Sequence, residues 1–289
     1  MVESQIYSQY PEVEIAEVDD YTKYIPEDIP NQAWKMWGGE FGLAKENFYP
    51  IKTYVDFGLE KHGEKEEEKV DPITTFLEFL GGLKEGEFVW FQILIRAASK
   101  EWKEEGEKFV KKTLEATKIT KEGSVIDMLS PGQKEVLKAI ERKISKLGFK
   151  TGIRAMYLAR RDRFDPINIS GLTGVIKQYN AENLNGFSVK WDTGCDYFLV
   201  KRREAFRQKR IFNAYKKRSW FYMPYKRKPF IMTAEELATI YHYPGRVAET
   251  PTFARIEAKK SEPPPTLPCL LYTSPSPRDL STSRMPSSA

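Results

Sequence analysis

The chain has 289 residues, 40% of them hydrophobic and 30% charged, a composition that describes a globular chain rather than a disordered or membrane one. No apolar run reaches the ~18 residues of a membrane-crossing helix, and the first residues lack the apolar stretch of a secretory signal. The net charge of +5 is unevenly placed: residues 201–228 hold twelve Lys or Arg against one acid, Glu204, so this stretch carries +11 and the remainder −6.

The amino end, Gln5-Ile-Tyr-Ser-Gln-Tyr-Pro followed by the alternation Val13-Glu-Ile15-Ala-Glu-Val18, reads as the close of a helix and then a strand, with a beginning that is expected to be cut away. Residues 36–44 and 51–57 are predicted strands. Residues 60–69, which include His62, form a charged run expected to be a solvated loop. Asp71-Pro72 predicts a helix start, with Asp as cap acceptor, Pro in the first turn, and Phe76, Leu77, Leu80 and Leu83 on one face. Residues 88–95 are apolar and short, which predicts a buried strand central in a sheet. Residues 102–116 predict a charged amphipathic helix. Ser130-Pro-Gly-Gln133 is a capping box, and Val136, Leu137, Ile140, Ile144 and Leu147 form the expected buried stripe.

Residues 149–159 predict a second central strand, and Asp165-Pro166 repeats the cap chemistry of Asp71-Pro72. Residues 180–200 read as loop and weak strand anchored by Trp191, Tyr197 and Phe198. Thr233-Ala-Glu-Glu236 is a further capping box, opening a short helix that runs to His242, and Glu262-Pro-Pro-Pro-Thr-Leu-Pro268 reads as a linker. Residues 269–289 resemble the translation of a sequencing-library adapter and are left out of the fold expectation, so the natural chain is expected to continue past Pro268. The expected architecture is α+β: two ferredoxin-like-type α/β units (1–127 and 128–200) with an antiparallel or mixed sheet, then a basic helical segment and capped helix (201–262) and a Pro-rich linker (263–268).

Motifs for chemistry are sparse. His62 and His242 are far apart in sequence and lack metal-ligand spacing, so they read as surface or cap residues. With Cys269 inside the adapter-like tail, Cys195 stands alone in Asp192-Thr-Gly-Cys195, without a histidine in its own element to activate it, and reads as a buried thiol. Gly38-Gly39 and Gly171-Leu-Thr-Gly174 resemble phosphate loops only superficially, and Gly-x-x-x-x-Gly-Lys-Ser/Thr does not occur. No acid pair, nucleophile with base or metal set stands out, so the stretch reads as non-enzymatic and no cofactor is expected.

The basic segment is the positive signal. The candidate nucleic-acid-binding residues are Lys201, Arg202, Arg203, Arg207, Lys209, Arg210, Lys216, Lys217, Arg218, Trp220, Lys226, Arg227 and Lys228. Aromatic residues between basic clusters suit single-strand binding, with rings stacking on bases and charges following the backbone. The competing reading is a solvated helix over 204–218 with Phe206, Phe212 and Tyr215 packed inward and Trp220, Phe221 and Tyr222 in the core.

Five blocks carry a resemblance: Gln5-Ile-Tyr-Ser-Gln-Tyr-Pro-Glu, Tyr49-Pro-Ile-Lys-Thr-Tyr-Val-Asp56, Asp71-Pro-Ile-Thr, Tyr222-Met-Pro-Tyr-Lys-Arg-Lys-Pro-Phe230 and Thr233-Ala-Glu-Glu-Leu-Ala-Thr-Ile-Tyr-His242. In these the chain resembles an uncharacterised Patescibacteria-type family that precedes DNA-translocating ATPases similar to those of conjugation and type IV secretion. The resemblance implies a non-catalytic accessory domain that positions such a motor or guides DNA into it, at the cytoplasmic face of the inner membrane. The implied partners are DNA, a P-loop ATPase domain or subunit, an anionic membrane surface, and further copies of the chain assembled through the ATPase. The alternative is a membrane-proximal protein-interaction scaffold of an envelope complex, without DNA contact.

Overall fold

The computed structural model describes residues 2–10, 13–59, 71–118 and 129–243; the loop expected at 60–69, with His62, and the segments at 263–268 and 269–289 lie outside them. The chain divides into two units. The first, Met1–Asp19 with Arg255–Ala289, is described at helix α1 (Val2–Gln9) and at residues 13–19, which have no assigned secondary structure. The predicted strand at 13–18 has no assigned secondary structure and no ladder partner among the described residues, and alternation alone makes no strand where no neighbouring edge pairs with it.

The second unit, Asp20–Ala254, is an α+β fold around a five-stranded antiparallel sheet. In chain order, strand β1 (Trp34–Leu43) is followed by helix α2 (Pro72–Gly81), β2 (Glu87–Ala97), α3 (Glu101–Lys118), α4 (Pro131–Ser145), β3 (Gly148–Arg160), α5 (Ile167–Lys177), β4 (Phe187–Asp192), α6 (Val200–Lys216), β5 (Phe230–Thr233) and α7 (Ala234–Ile240). The strand order is β2-β3-β1-β4. Strand β3 is long enough that β1 and β5 share one of its edges, β1 pairing with residues 153–160 and β5 with 148–151. The strands of both expected α/β units therefore interleave in one sheet, because β3 from the second lies between β2 and β1 from the first.

Period-two alternation along β3 sorts its side chains onto two faces. Ile153, Ala155, Tyr157 and Ala159 face a core built with Leu172, Ile176 and Phe79 of the α5 and α2 side. Met156 and Leu158 face Ile211, Phe212 and Tyr215 of α6. Strand β2 packs Phe91 and Ile93 toward the α2 side and Trp90 toward α6, but only Trp90 of its apolar run is buried and Phe88 and Ile95 are exposed, contrary to the expectation of a buried strand. It is an outer strand of the sheet rather than a central one, and an apolar composition alone does not separate the two positions. Leu147, expected on the buried stripe of α4, is exposed because it lies beyond the helix end.

The predicted strand at 51–57 is a turn. Its amides go elsewhere: Ile51 N donates to Glu236 Oε1 at 3.0 Å, Lys52 N to the Tyr179 carbonyl at 3.0 Å and Tyr54 N to Thr239 Oγ1 at 3.1 Å. Glu236 serves two structures at once. Its Oε2 closes the α7 capping box with Thr233, and its Oε1 accepts from Ile51 and from the buried ammonium of Lys143 at 3.0 Å. Lys143 also donates to the carbonyls of Tyr49 and Ile231, so α4, the 49–51 segment, β5 and α7 meet at one buried ion pair. Burial pushes the Lys143 pKa down and Glu236 opposes the shift.

The capped starts of α2, α4 and α7 form as the sequence predicts, through Asp71, Ser130 and Thr233. His242 links two of these helices: its Nδ1 lies 2.8 Å from the Ala238 carbonyl and its Nε2 2.9 Å from both Asp71 carboxylate oxygens. Among the described helices none is long and apolar enough to cross a membrane.

Two outcomes are expected. Replacing Lys143 with Met leaves a buried carboxylate without its counter-charge and should cost about 3 kcal/mol in urea denaturation, because losing one partner of a buried pair is far worse than losing both; a cost under ~1 kcal/mol would mean that the pair does not hold these elements together. The second concerns pH. The hydrogen bond to Asp71 raises the His242 pKa while burial opposes it; burial pushes the Asp71 carboxyl up, but the His242 and Ile73 bonds outweigh it and leave it lowered. A raised His stabilises the fold fully below its ordinary ~6.5 and loses the effect as pH rises through the folded value; a lowered Asp stabilises above its ordinary ~3.9 and loses it as pH falls. The Tm gap between the parent and His242→Ala should thus be widest between about pH 4 and 6.5 and narrow at higher pH, and a gap independent of pH in thermal melts would contradict the pairing.

Candidate nucleic-acid interface

Helix α6 is placed by an inward stripe. Ile211, Phe212, Ala214 and Tyr215 are buried, with Phe212 and Tyr215 stacked on Trp90 at centroid distances of 5.8 and 5.2 Å. Gly38 on β1 allows the close approach, since a Cβ there would stand 3.0 Å from Ile211 Cδ1. The opposite stripe, at helical spacing, presents Arg202, Phe206, Lys209, Asn213 and Lys217 to solvent, flanked by Arg203 and Arg210. Phe206 is 67% exposed, contrary to the expectation that it packs inward with Phe212 and Tyr215. The inward positions are 208, 211, 212 and 215, and 206 is out of phase with them.

The helix closes with a two-bond C-terminal cap in which Arg218 N donates to the Tyr215 carbonyl and Ser219 N to that of Ala214, both at 2.9 Å. Arg218 takes the left-handed position, φ 50°, that usually falls to glycine. The chain then turns down onto the sheet. Trp220 is buried over Gly152, where a Cβ would stand 2.2 Å from the indole, so this candidate is a core residue with no ring face left for a base. Tyr222, expected in the core, is exposed and its hydroxyl accepts from Arg96 at 3.2 Å.

Beneath this segment lies a row of polar residues in register across the sheet: Gln92 on β2, Arg154 on β3, Glu40 on β1 and Trp191 on β4. Arg154 is 0% exposed. Its Nη2 donates to the Ser219 carbonyl, and its guanidinium lies 4.9 and 5.3 Å from the ring centroids of Trp220 and Tyr225. Burial pushes the Arg154 pKa down, opposed by Glu40. Tyr225 donates to Glu40 Oε1 at 2.8 Å, and its phenol is pushed up to about 12, by burial first and then by the neighbouring carboxylate, so it remains a donor. Arg227 Nε lies 2.8 Å from Glu40 Oε2, an ion pair whose N–H direction is too far off line for a well-formed hydrogen bond.

This arrangement sorts the candidates. Arg227 is committed to Glu40 and to the faces of Trp191 and Tyr225. Arg207 donates to the Gly194 carbonyl, and Lys216 pairs with Glu27 at 2.7 Å. Arg218 is exposed and meets Asp20 at 3.3 Å. Lys201, Arg202, Arg203, Lys209, Arg210, Lys217, Lys226 and Lys228 are exposed. Between the outer face of α6 and residues 219–225 runs a groove of ≈ 380 Å³, lined by Phe206, Lys209, Arg210, Asn213, Lys217 and Tyr225 among others. Three cations over an aromatic wall can bind a phosphodiester and shelter an adjoining ring. Sequence reasoning missed Phe206 as an outward residue, and it missed Asn213 and Tyr225 altogether.

The remaining motif residues are structural. Gly38 and Gly39 lie within β1, and Gly171 and Gly174 within α5, where Gly171 faces Phe79. Cys195 is a buried free thiol. Tyr197 and Phe198, expected as anchors, are exposed, whereas Trp191 packs against the α6 core.

No curated protein and no solved structure matches this chain. A family model described as a domain of unknown function, DUF8128, matches residues 1–255. With most of its length covered by that match, the chain belongs to the DUF8128 family.

Proposed function

We propose that this domain is a non-catalytic DNA-contacting module, an accessory part of a DNA-translocating ATPase of the conjugation and type IV secretion kind, working at the cytoplasmic face of a membrane. The observation that carries the reading is the division of labour among the twelve cations of residues 201–228: three, Arg207, Lys216 and Arg227, are half-buried and engaged, while nine are exposed around one helix and the segment that follows it. Outward cations on a helix packed against the sheet, with a groove of ≈ 380 Å³ among them, suit sequence-independent contact with a nucleic-acid backbone. The motor itself would be supplied by another domain or subunit, and oligomerisation would follow from it.

The second reading, a membrane-proximal scaffold without DNA contact, is favoured by one observation, the exposed apolar turn at Tyr197 and Phe198. Retention on anionic vesicles without any affinity for DNA would select it.

Neutralising Lys209, Arg210 and Lys217 together, each to Gln, should weaken binding to labelled DNA tenfold or more at low salt. The slope of log affinity against log salt should fall by about two for single-stranded and nearly three for double-stranded DNA between about 50 and 200 mM, since each lost phosphate contact removes ~0.7 or ~0.9 of a unit. Fluorescence anisotropy with single- and double-stranded oligonucleotides checks this. An unchanged affinity and slope, or no binding by the parent chain, would defeat the proposal.

A further inference from the structure

Four consecutive apolar residues stand out from the surface at the start of α6. Tyr197, Phe198, Leu199 and Val200 are 62%, 78%, 51% and 38% exposed. Their base is built rather than loose. Thr193 and Cys195 are buried, Asp192 Oδ1 accepts from Gly194 N at 2.7 Å, and Arg207 donates to the Gly194 carbonyl. On the other side the guanidinium of Arg203 lies 4.8 Å from the Tyr197 ring centroid. Leu199 takes the left-handed backbone region, φ 60° and ψ 37°, which a branched side chain seldom adopts and which turns the chain directly into α6. Next in the chain come Lys201, Arg202 and Arg203, all exposed.

A contiguous exposed apolar patch marks an interaction surface. Its surroundings select the partner. Two aromatic rings and a leucine behind a collar of three cations match the boundary of an anionic bilayer, where rings and aliphatic side chains enter the headgroup layer while Lys and Arg meet lipid phosphates. A second copy of this chain is disfavoured by charge, since pairing two tips would bring two such collars together. Nucleic acid would satisfy the cations and stack bases on the two rings, but would leave Leu199 and Val200 in water. We infer that Tyr197, Phe198 and Leu199 form a membrane-docking tip for an anionic lipid surface, with Lys201, Arg202 and Arg203 as its electrostatic collar.

The inference rests on the membrane placement proposed above and deepens it by naming the element that makes contact; it is separable from DNA binding. At 1.5 Å per residue the centre of the groove, near Asn213, lies about 20 Å along α6 from Val200. One helix can therefore hold lipid at its amino end and DNA along its carboxyl half.

The test uses the full chain in flotation with vesicles of phosphatidylcholine alone or mixed with phosphatidylglycerol, alongside DNA anisotropy. The parent should float with the mixed vesicles and not with phosphatidylcholine. Phe198→Ser with Leu199→Ser should lower vesicle affinity about tenfold at all salt concentrations. Replacing Lys201, Arg202 and Arg203 with Gln should lower it about a hundredfold at low salt. The Ser variant should keep its DNA affinity, and since Phe198 is exposed its melting temperature should match the parent's. Vesicle binding unaffected by the Ser pair would overturn the tip while leaving the membrane placement standing. Absence of vesicle binding by the parent would overturn both without touching the DNA reading, and a concentration-dependent dimer abolished by the Ser pair would make the tip an interface between copies instead.

Discussion

A guanidinium with no exposed surface sits at the middle of the central strand, and the arrangement of everything on that side of the sheet answers to it. Arg154 takes its positive charge out of water, a costly transfer that requires an opposite charge nearby and acceptors within reach. Glu40 stands in register beside it on β1, and the Ser219 carbonyl comes from the segment after α6. Nε and Nη1 have no hydrogen-bond partner among the described residues, so the charge is held mainly by Glu40 and by the faces of Trp220 and Tyr225. Replacing such a row with hydrophobic residues commonly costs nothing in stability. What the polar row does supply is position: a segment that must meet Arg154 with one carbonyl and Glu40 with Tyr225 and Arg227 has one way to lie down.

From that position the outer surface follows. Once Trp220, Tyr225 and Arg227 point inward, Lys217, Arg218, Lys226 and Lys228 are left on the outside, continuing the cationic stripe of α6 around its carboxyl end. The buried pair Lys143–Glu236 plays the corresponding part near the amino end of β3, gathering α4, β5 and α7. The sheet supports both clamps, and the outward cations lie on a helix face and a connecting segment.

How much of this could be read in advance depended on how far apart the partners were. The caps at Asp71, Ser130 and Thr233 were legible because donor and acceptor lie two or three residues apart. The stretch at 51–57 has strand composition, but the groups that take its amides include Glu236, 185 positions later, and no local pattern announces that. Arg154 offered a signal of its own, a cation between Ile153 and Ala155 in an apolar strand, but its counterpart Glu40 is distant and only the register of β1 against β3 brings them together. Within the basic segment the charge was plain, while the separation of engaged from outward cations depended on the Gly194 carbonyl and on Glu27 and Glu40, two acids from the other end of the chain. For Phe206 the information was present: helical phase places it opposite Ile211 and Tyr215.

The central claim is that DNA affinity depends on a face shaped by the buried row and not on charge alone. The most direct measurement is the DNA affinity of Glu40→Gln at fixed salt. The substitution preserves side-chain size and makes the chain more positive by one unit, so if charge alone governs, binding tightens or stays the same. The account predicts binding several-fold weaker, because Tyr225 and Arg227 lose the carboxylate that draws residues 219–228 onto the sheet. Equal or tighter binding by a folded Glu40→Gln chain would contradict it.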